Sequence, residues 1–201
     1  MKIFSDNAAK WLGVAVAAAC ALGAAACSSS STAAGSGTAS ASSSASTAGK
    51  TLSATQIVFG TRLKHTFRPN GTGAPKTESL SQPDDIVQLG GDLYVGFQNG
   101  VGSQGETATS GNTDSTLAEF TPAGKKISQW DVKGKIDGLG ADTGTKQVIA
   151  TVNEDSNSSL YTVSPGSAAA THYSYSEALP HKGGTDSVAY CGGKLLVSAS
   201  A

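Results

Sequence analysis

Three aspartates, Asp85, Asp137 and Asp186, recur roughly fifty residues apart, each opening a short apolar run. Carboxylates held close together repel one another, which raises their pKa unless a cation or a basic ligand compensates. Calcium favours such oxygen-rich surroundings, so the series is a candidate site for a divalent cation. Asn153 and Glu154, in a polar loop after the second run, are candidate further ligands. His181, in LPHKGGTD just before Asp186, is a candidate ligand-binding residue. A plainer use is also open to every one of these aspartates, since Asp at a turn accepts hydrogen bonds from nearby backbone N–H groups. No catalytic residue is assigned by either reading.

Other chemistry-bearing patterns resolve to turns. GVGSQG (100–105) has the glycine spacing of a dinucleotide loop, with Glu119 at the distance of a ribose-binding acid. That fingerprint needs a helix whose N-terminus meets the pyrophosphate, whereas ETATSGNTD comes next, which is loop chemistry. Asp142-Thr143-Gly144 matches half of an aspartic-protease pair, but the second carboxylate motif is absent and the triplet falls at a turn. The histidines His65, His172 and His181 are scattered, with no zinc spacing among them, and no nucleophile elbow or Cys-x-x-Cys is present. A net charge of −1 leaves nucleic acid without an electrostatic footprint. The lysines from Lys125 to Lys135 read as the solvated edge of a strand pair, and Cys191 as a small buried hydrophobe.

The elements that must carry these residues are strands. From about Thr51 the chain has short β-branched and aromatic runs between Gly, Asn, Asp, Ser and Pro clusters, and no helical period. Two phrases repeat. PDDIVQLGGDLYVGFQ (83–98), KIDGLGADTGTKQVIATVNE (135–154) and GTDSVAYCGGKLLVSAS (184–200) share an Asp, an apolar strand, a turn and a second strand. STLAEFTPAGKKISQWDV (115–132) and SSLYTVSPGSAAATHYSYS (158–176) share a strand, a Pro turn and an alternating strand. Ile127, Gln129 and Asp131 alternate there with Ser128, Trp130 and Val132, which gives one strand two unlike faces. The expected strands are 85–89, 93–98, 116–121 and 127–132, then 137–141, 147–152, 158–163 and 170–176, then 186–190 and 194–199. Four antiparallel strands per repeat make the blade of a β-propeller. QIVFGTRLKHTF (56–67) is expected to add outer strands of a neighbouring blade or a closing strand.

The stretch QPDDIVQLGGDLYVGFQNG…STLAEFTPAGKKISQW resembles the NHL-type repeat over residues 80–201. That group of six-bladed propellers includes gluconolactonase-like and streptogramin-lyase-like proteins. The resemblance implies a channel lined by the first strand of each blade, with Asp85, Asp137 and Asp186 at its mouth. It also implies, by analogy with the axial metal of gluconolactonase-like propellers, a divalent cation there. Asp85 departs from the expected Gly, and QNGVGSQGETATSGNTD lengthens the first loop. The repeat amounts to about two and a half blades, where a ring needs ~4–8, so the chain reads as a truncated fragment of a propeller, with one wedge of several copies or a non-propeller sandwich of the same hairpins as the alternatives.

The N-terminal quarter has a different use. Lys2 and Lys10 precede an apolar run from Trp11 to Ala26, too short for the ~20 residues of a membrane span. It has the regions of a secretory signal. Ala24-Ala25-Ala26-Cys27 followed by four serines resembles the lipobox of bacterial lipoproteins. The resemblance implies that Cys27 is lipidated, with two acyl chains giving stable anchoring. Residues 27–50 are almost entirely Ser, Ala, Thr and Gly and read as a flexible tether. The expected organisation is a signal peptide over 1–26, a tether over 27–50 and an all-β propeller-like domain over 51–201. The expected function is that of an exported, membrane-anchored module on the extracytoplasmic face. It would bind a small molecule, an envelope glycan or a protein. A metal-dependent lactonase or lyase using the axial carboxylates, and a structural wedge of an oligomer, are the alternatives.

Overall fold

The computed structural model describes residues 54–179 and 183–200, so Cys27 and His181 lie outside the described residues. Gly-Gly turns at 90–91 and 192–193 and an Asp-Thr-Gly turn at 142–144 close the hairpins of the runs that pair. Strands β1 (Lys64–Phe67) and β2 (Lys76–Ser79) form a hairpin. Next, β3 (Pro83–Leu89), β4 (Asp92–Phe97), β5 (Asp114–Phe120) and β6 (Lys126–Lys133) form a four-stranded antiparallel meander. A second meander repeats it with β7 (Ile136–Asp142), β8 (Gln147–Val152), β9 (Ser159–Val163) and β10 (Thr171–Ser174). Finally β11 (Thr185–Cys191) and β12 (Lys194–Ala199) form a second hairpin. The described fold is all-β, with helix limited to two 3-10 turns at Gly60–Arg62 and Pro69–Gly71. Each strand expected within 85–199 is present to within a few residues. The 56–67 stretch supplies only β1, whose partner β2 lies outside it.

The pieces are stacked in chain order, because alternate residues of each strand face opposite ways. In the first sheet Tyr94, Leu117, Trp130 and Val132 are buried on the forward side against Leu139, Val148, Ala150 and Val152 of the second. Trp130 adds a hydrogen bond from Nε1 to the Ser167 carbonyl, 2.8 Å away. Ile149 and Leu160, on the forward side of the second sheet, meet Val188, Leu195 and Val197 of the last hairpin. On the rear of the first sheet, Phe97, Ala118 and Phe120 pack with Leu80, Val58 and Leu63 of the first hairpin and its flanks. Burying each of the larger side chains contributes roughly 1.5–3 kcal/mol, so these three interfaces hold the stack together.

The inner strands approach one another most closely. A Cβ on Gly138 of β7 would lie 2.6 Å from the Asp186 carbonyl oxygen and 2.7 Å from Ser187 Cα on β11. A Cβ on Gly96 of β4 would lie 2.8 Å from Ile136 Cγ2. These glycines are there for room between neighbouring backbones.

The hairpin registers also correct one expected equivalence. The turns close on the pairs Leu89–Asp92, Asp142–Gln147 and Cys191–Lys194. Beyond the irregular step of each hairpin come Pro83–Phe97, Ile136–Val152 and Thr185–Ala199. The residue just inside that step is Asp84, Asp137 or Asp186. Asp84, and not Asp85, is therefore the counterpart of the other two. The adjacent pair Asp84-Asp85 hides this, because only the ladder tells which of them sits at the bulge.

Candidate functional site

One junction recurs at the start of every inner strand. The Gln98 amide donates to the Gln82 carbonyl at 3.0 Å, Asn153 to Lys135 at 2.9 Å, and Ser200 to Gly184 at 3.2 Å. Each bond ties the residue after the hairpin to the residue before it. Asn153 tightens the second junction with its side chain, Oδ1 accepting from Lys135 N at 3.0 Å and Nδ2 donating to the Asn157 carbonyl at 2.9 Å. Its φ of 68° is left-handed, a conformation Asn tolerates better than most residues. Asn153 is thus occupied by the backbone.

Around this second junction the charged side chains gather. Lys135 Nζ lies 2.9 Å from Asp137 Oδ1 and also donates to Glu154 Oε1. The Asp137 side chain is only 2% exposed, and neither of its oxygens accepts a well-directed hydrogen bond. Burial pushes its carboxyl up to about 6; Lys135 opposes the shift, and Glu154 and Asp84 add to it. Asp84 is also raised, by burial first, with Lys135 opposing and Asp85 and Glu154 contributing. For Lys135, burial pulls the pKa down, but hydrogen bonds to Glu154 and Asp137 more than offset it and the net shift is upward. The result is one ammonium paired with two carboxylates, with Asp84 close enough to feel their charge. Glu154 and Asp84 present acceptors to hydroxyl or amine groups, whereas the Asp137 oxygens are covered. Gln98, beside Asp84, donates from Nε2 to the Ile136 carbonyl at 3.1 Å.

The expected residues divide accordingly. Asp137 and Glu154 are brought together by Lys135, whose sequence context had suggested a solvated strand edge. Asp85 is not among them: its Oδ2 accepts from Leu139 N on the neighbouring inner strand and its Oδ1 from Ile86 N, both at 2.7 Å. It works as a backbone clamp between the two sheets. Asp186 is exposed on β11. Among the described residues, no three His, Cys, Asp or Glu side chains gather as a metal-binding set. Cys191 is exposed, contrary to the expected burial, because no described element covers the forward side of β11.

The turn readings of the other motifs agree with the geometry. Asp142 Oδ1 accepts from Gly144 N at 2.9 Å and Thr145 N at 3.2 Å, and Thr145 Oγ1 donates to Oδ2 at 2.5 Å. These bonds, the Thr145 side chain's first, hold the Asp142 carboxyl below its ordinary value. Residues 98–113 form the β4–β5 loop with no helix in it. Glu119 is buried in the first sheet, where Tyr94 Oη donates to its Oε1 at 2.6 Å.

A second polar cluster lies under the first hairpin. His65 is 2% exposed, stacks on Phe67 with centroids 5.2 Å apart, and has no partner for Nδ1. Burial lowers its pKa, against the nearby Asp131, Glu78 and Asp114. Asp131 is raised by burial and then by Asp114, with His65 opposing. An open cleft of about 470 Å³ beside them is lined by Thr66, Phe67, Arg68, Asp114 and Asp131. Nothing in the sequence marks His65 as buried, apart from its place between Lys64 and Thr66 in an alternating strand.

No family model matches the chain, and no curated protein or solved structure is similar to it.

Proposed function

We propose that this chain is an exported, lipid-anchored binding module of β-propeller type. Its ligand face would be the end of the inner strands, where Lys135 pairs with Asp137 and Glu154 and Asp84 lies within reach of their charge. The observation that carries the reading is Asp137: a buried carboxylate, short of hydrogen bonds, at the step where every inner strand is irregular. Burying a charge without its full set of partners is costly, and such sites are where ligand chemistry concentrates. Support for a propeller comes from the two repeated four-stranded meanders, stacked with their first strands together. The ligand class that suits the site is a hydroxyl-rich one, such as an envelope glycan. Its hydroxyls donate to Glu154 and Asp84, and Lys135 donates in return.

Titration calorimetry of the full chain with soluble cell-wall glycan fragments tests this. Lys135→Met and Asp137→Ala should each weaken binding at least ~10-fold, the equivalent of about 1.4 kcal/mol. Affinity that is absent in the native chain, or unchanged in both variants, ends the reading.

A further inference from the structure

A single apolar side chain in water is ordinary, but several exposed at one place mark a surface that meets something. Among the described residues five large apolar side chains are exposed. Three of them, Ile57 at 49%, Phe59 at 43% and Ile127 at 48%, belong to one corner of the first sheet. Residues 57 and 58 lie against the β5–β6 turn, where a Cβ on Gly124 would stand 2.5 Å from the Ile57 carbonyl oxygen and 3.0 Å from Val58 Cγ2. Val58 turns inward to Leu80, Phe97, Ala118 and Phe120, so its extended neighbours Ile57 and Phe59 turn outward. Ile127 is the extra residue of a bulge, since Glu119 pairs with Ser128 and Phe120 with Lys126. Bulges re-aim a side chain, and this one aims an isoleucine at solvent.

The same corner is basic. Lys125 and Lys126 are exposed on the turn, and the Arg62 guanidinium lies 4.7 Å from the centre of the Phe59 ring, a cation held over an exposed aromatic. The inner strands run side by side with their starts together, Asp85 meeting Leu139 and Asp186 meeting Gly138. The β3–β4, β5–β6, β7–β8 and β11–β12 turns therefore share one end of the stack. Lys146 and Lys194 add two more exposed lysines to those turns. Against them stand Asp92 and Asp142, the second engaged by Gly144 and Thr145. The opposite end, where the inner strands start, carries Asp84, Asp137, Glu154 and Asp186 with Lys135. One end of the stack is basic and apolar, and the other is acidic.

We propose that the turn end rests on the membrane that holds the lipid anchor, with Ile57, Phe59 and Ile127 in the headgroup layer and the lysines against anionic lipid phosphates. The occupant follows from charge and from connection. Apolar side chains ringed by cations bind a bilayer surface through buried apolar area together with attraction to anionic lipid. Lysine and arginine stems lie along the apolar surface while their charged heads reach the phosphates. The connection is the stretch 27–50, which leads into the domain a few residues before Ile57. A Ser/Gly-rich tether of that length reaches roughly 25–30 Å, so the corner where the chain enters is the one held beside the bilayer. The Lys135–Asp137–Glu154 site then faces away from the membrane, where an envelope glycan can approach it. This inference rests on the lipid-anchored reading above, and it needs no ligand.

The test uses the full lipidated chain in mixed phosphatidylglycerol–phosphatidylcholine vesicles, with Cys20 and Cys191 replaced by Ser. A polarity-sensitive fluorophore is attached at Ala123→Cys on the β5–β6 turn or at Thr107→Cys in the β4–β5 loop. Headgroup spin-labelled lipid should quench the label at 123 and leave the one at 107 bright. Lys125→Glu with Lys126→Glu, or Ile57→Ser alone, should abolish the quenching at 123 while the chain still floats with the vesicles and melts as the native protein does. Vesicles of phosphatidylcholine alone should weaken it, since the lysines lose their counter-charge. Equal quenching at both positions, none at either in floated chain, or quenching untouched by the variants overturns the orientation and leaves the anchor standing. Chain that fails to float with the vesicles removes the anchor, and the orientation with it.

Discussion

At Asp137 the folded protein holds a proton more tightly than the unfolded chain does. Its ordinary value of 3.8 rises to about 6 in the folded state. A carboxyl with a raised pKa contributes stability below its unfolded value, and that contribution is lost as pH rises through the folded value. Asp137→Asn should therefore gain on the native chain between pH 4 and pH 7, by on the order of 1–2 kcal/mol. Denaturant melts of both proteins at several pH values read the difference; a gap constant with pH would mean that the carboxyl titrates normally. The aspartate series is visible in the sequence, since a repeat of charged residues stands out against apolar strands. Which of Asp84 and Asp85 belongs to the series is not, because a bulge changes register without changing composition. Nor does the sequence show that Lys135 turns inward. Lysine is ordinarily exposed, and only the meeting of the β6–β7 link with the Glu154 loop brings it between two carboxylates.

Among the elements, the turns are the legible part. Gly90-Gly91 and Gly192-Gly193 all adopt positive φ, which glycine alone enters freely, so the repeated dipeptides mark the hairpins. The alternation around Trp130 gives the two faces of β6 for the same reason that side chains alternate along any strand. Less legible are the strand-interior glycines, which look like breaks and are in fact points of contact. Gly138→Ala would force β7 and β11 apart, since its Cβ would lie 2.6 Å from a backbone oxygen that has no easy retreat. The expected loss is ~1–3 kcal/mol, read as a lower denaturation midpoint with an unchanged slope. An unaltered midpoint would mean that β11 does not rest on β7. Cys191 departs from its expected burial on related grounds: its neighbours are apolar, but burial needs a covering element as well as an apolar strand.

For the whole molecule, the address and the fold are separate properties of the chain. Cys27 and the tether lie outside the described residues, and the lipoprotein reading stands on residues 1–50 alone. Cys27→Ala should move the protein from the detergent phase to the aqueous phase on partitioning, because it would remove both acyl chains. Retention in the detergent phase would mean that the anchor lies elsewhere. Among the described residues no helix is long and apolar enough to cross a membrane.

The three equivalent junctions also bear on how such a protein can change over time. Each ties off a hairpin before the chain continues, so the next loop can vary in length without disturbing the ladder. The β4–β5 loop runs from 98 to 113 while the matching β8–β9 loop runs only from 153 to 158, yet the strands on either side keep the same pairing. The two loops touch, with the Asp155 amide donating to the Ser103 carbonyl at 3.2 Å and Asn157 Nδ2 to that of Gln104 at 3.3 Å. The extra length of the β4–β5 loop is thereby confined to one rim. A lineage could remodel what that rim recognises while the sheets beneath it stay as they are.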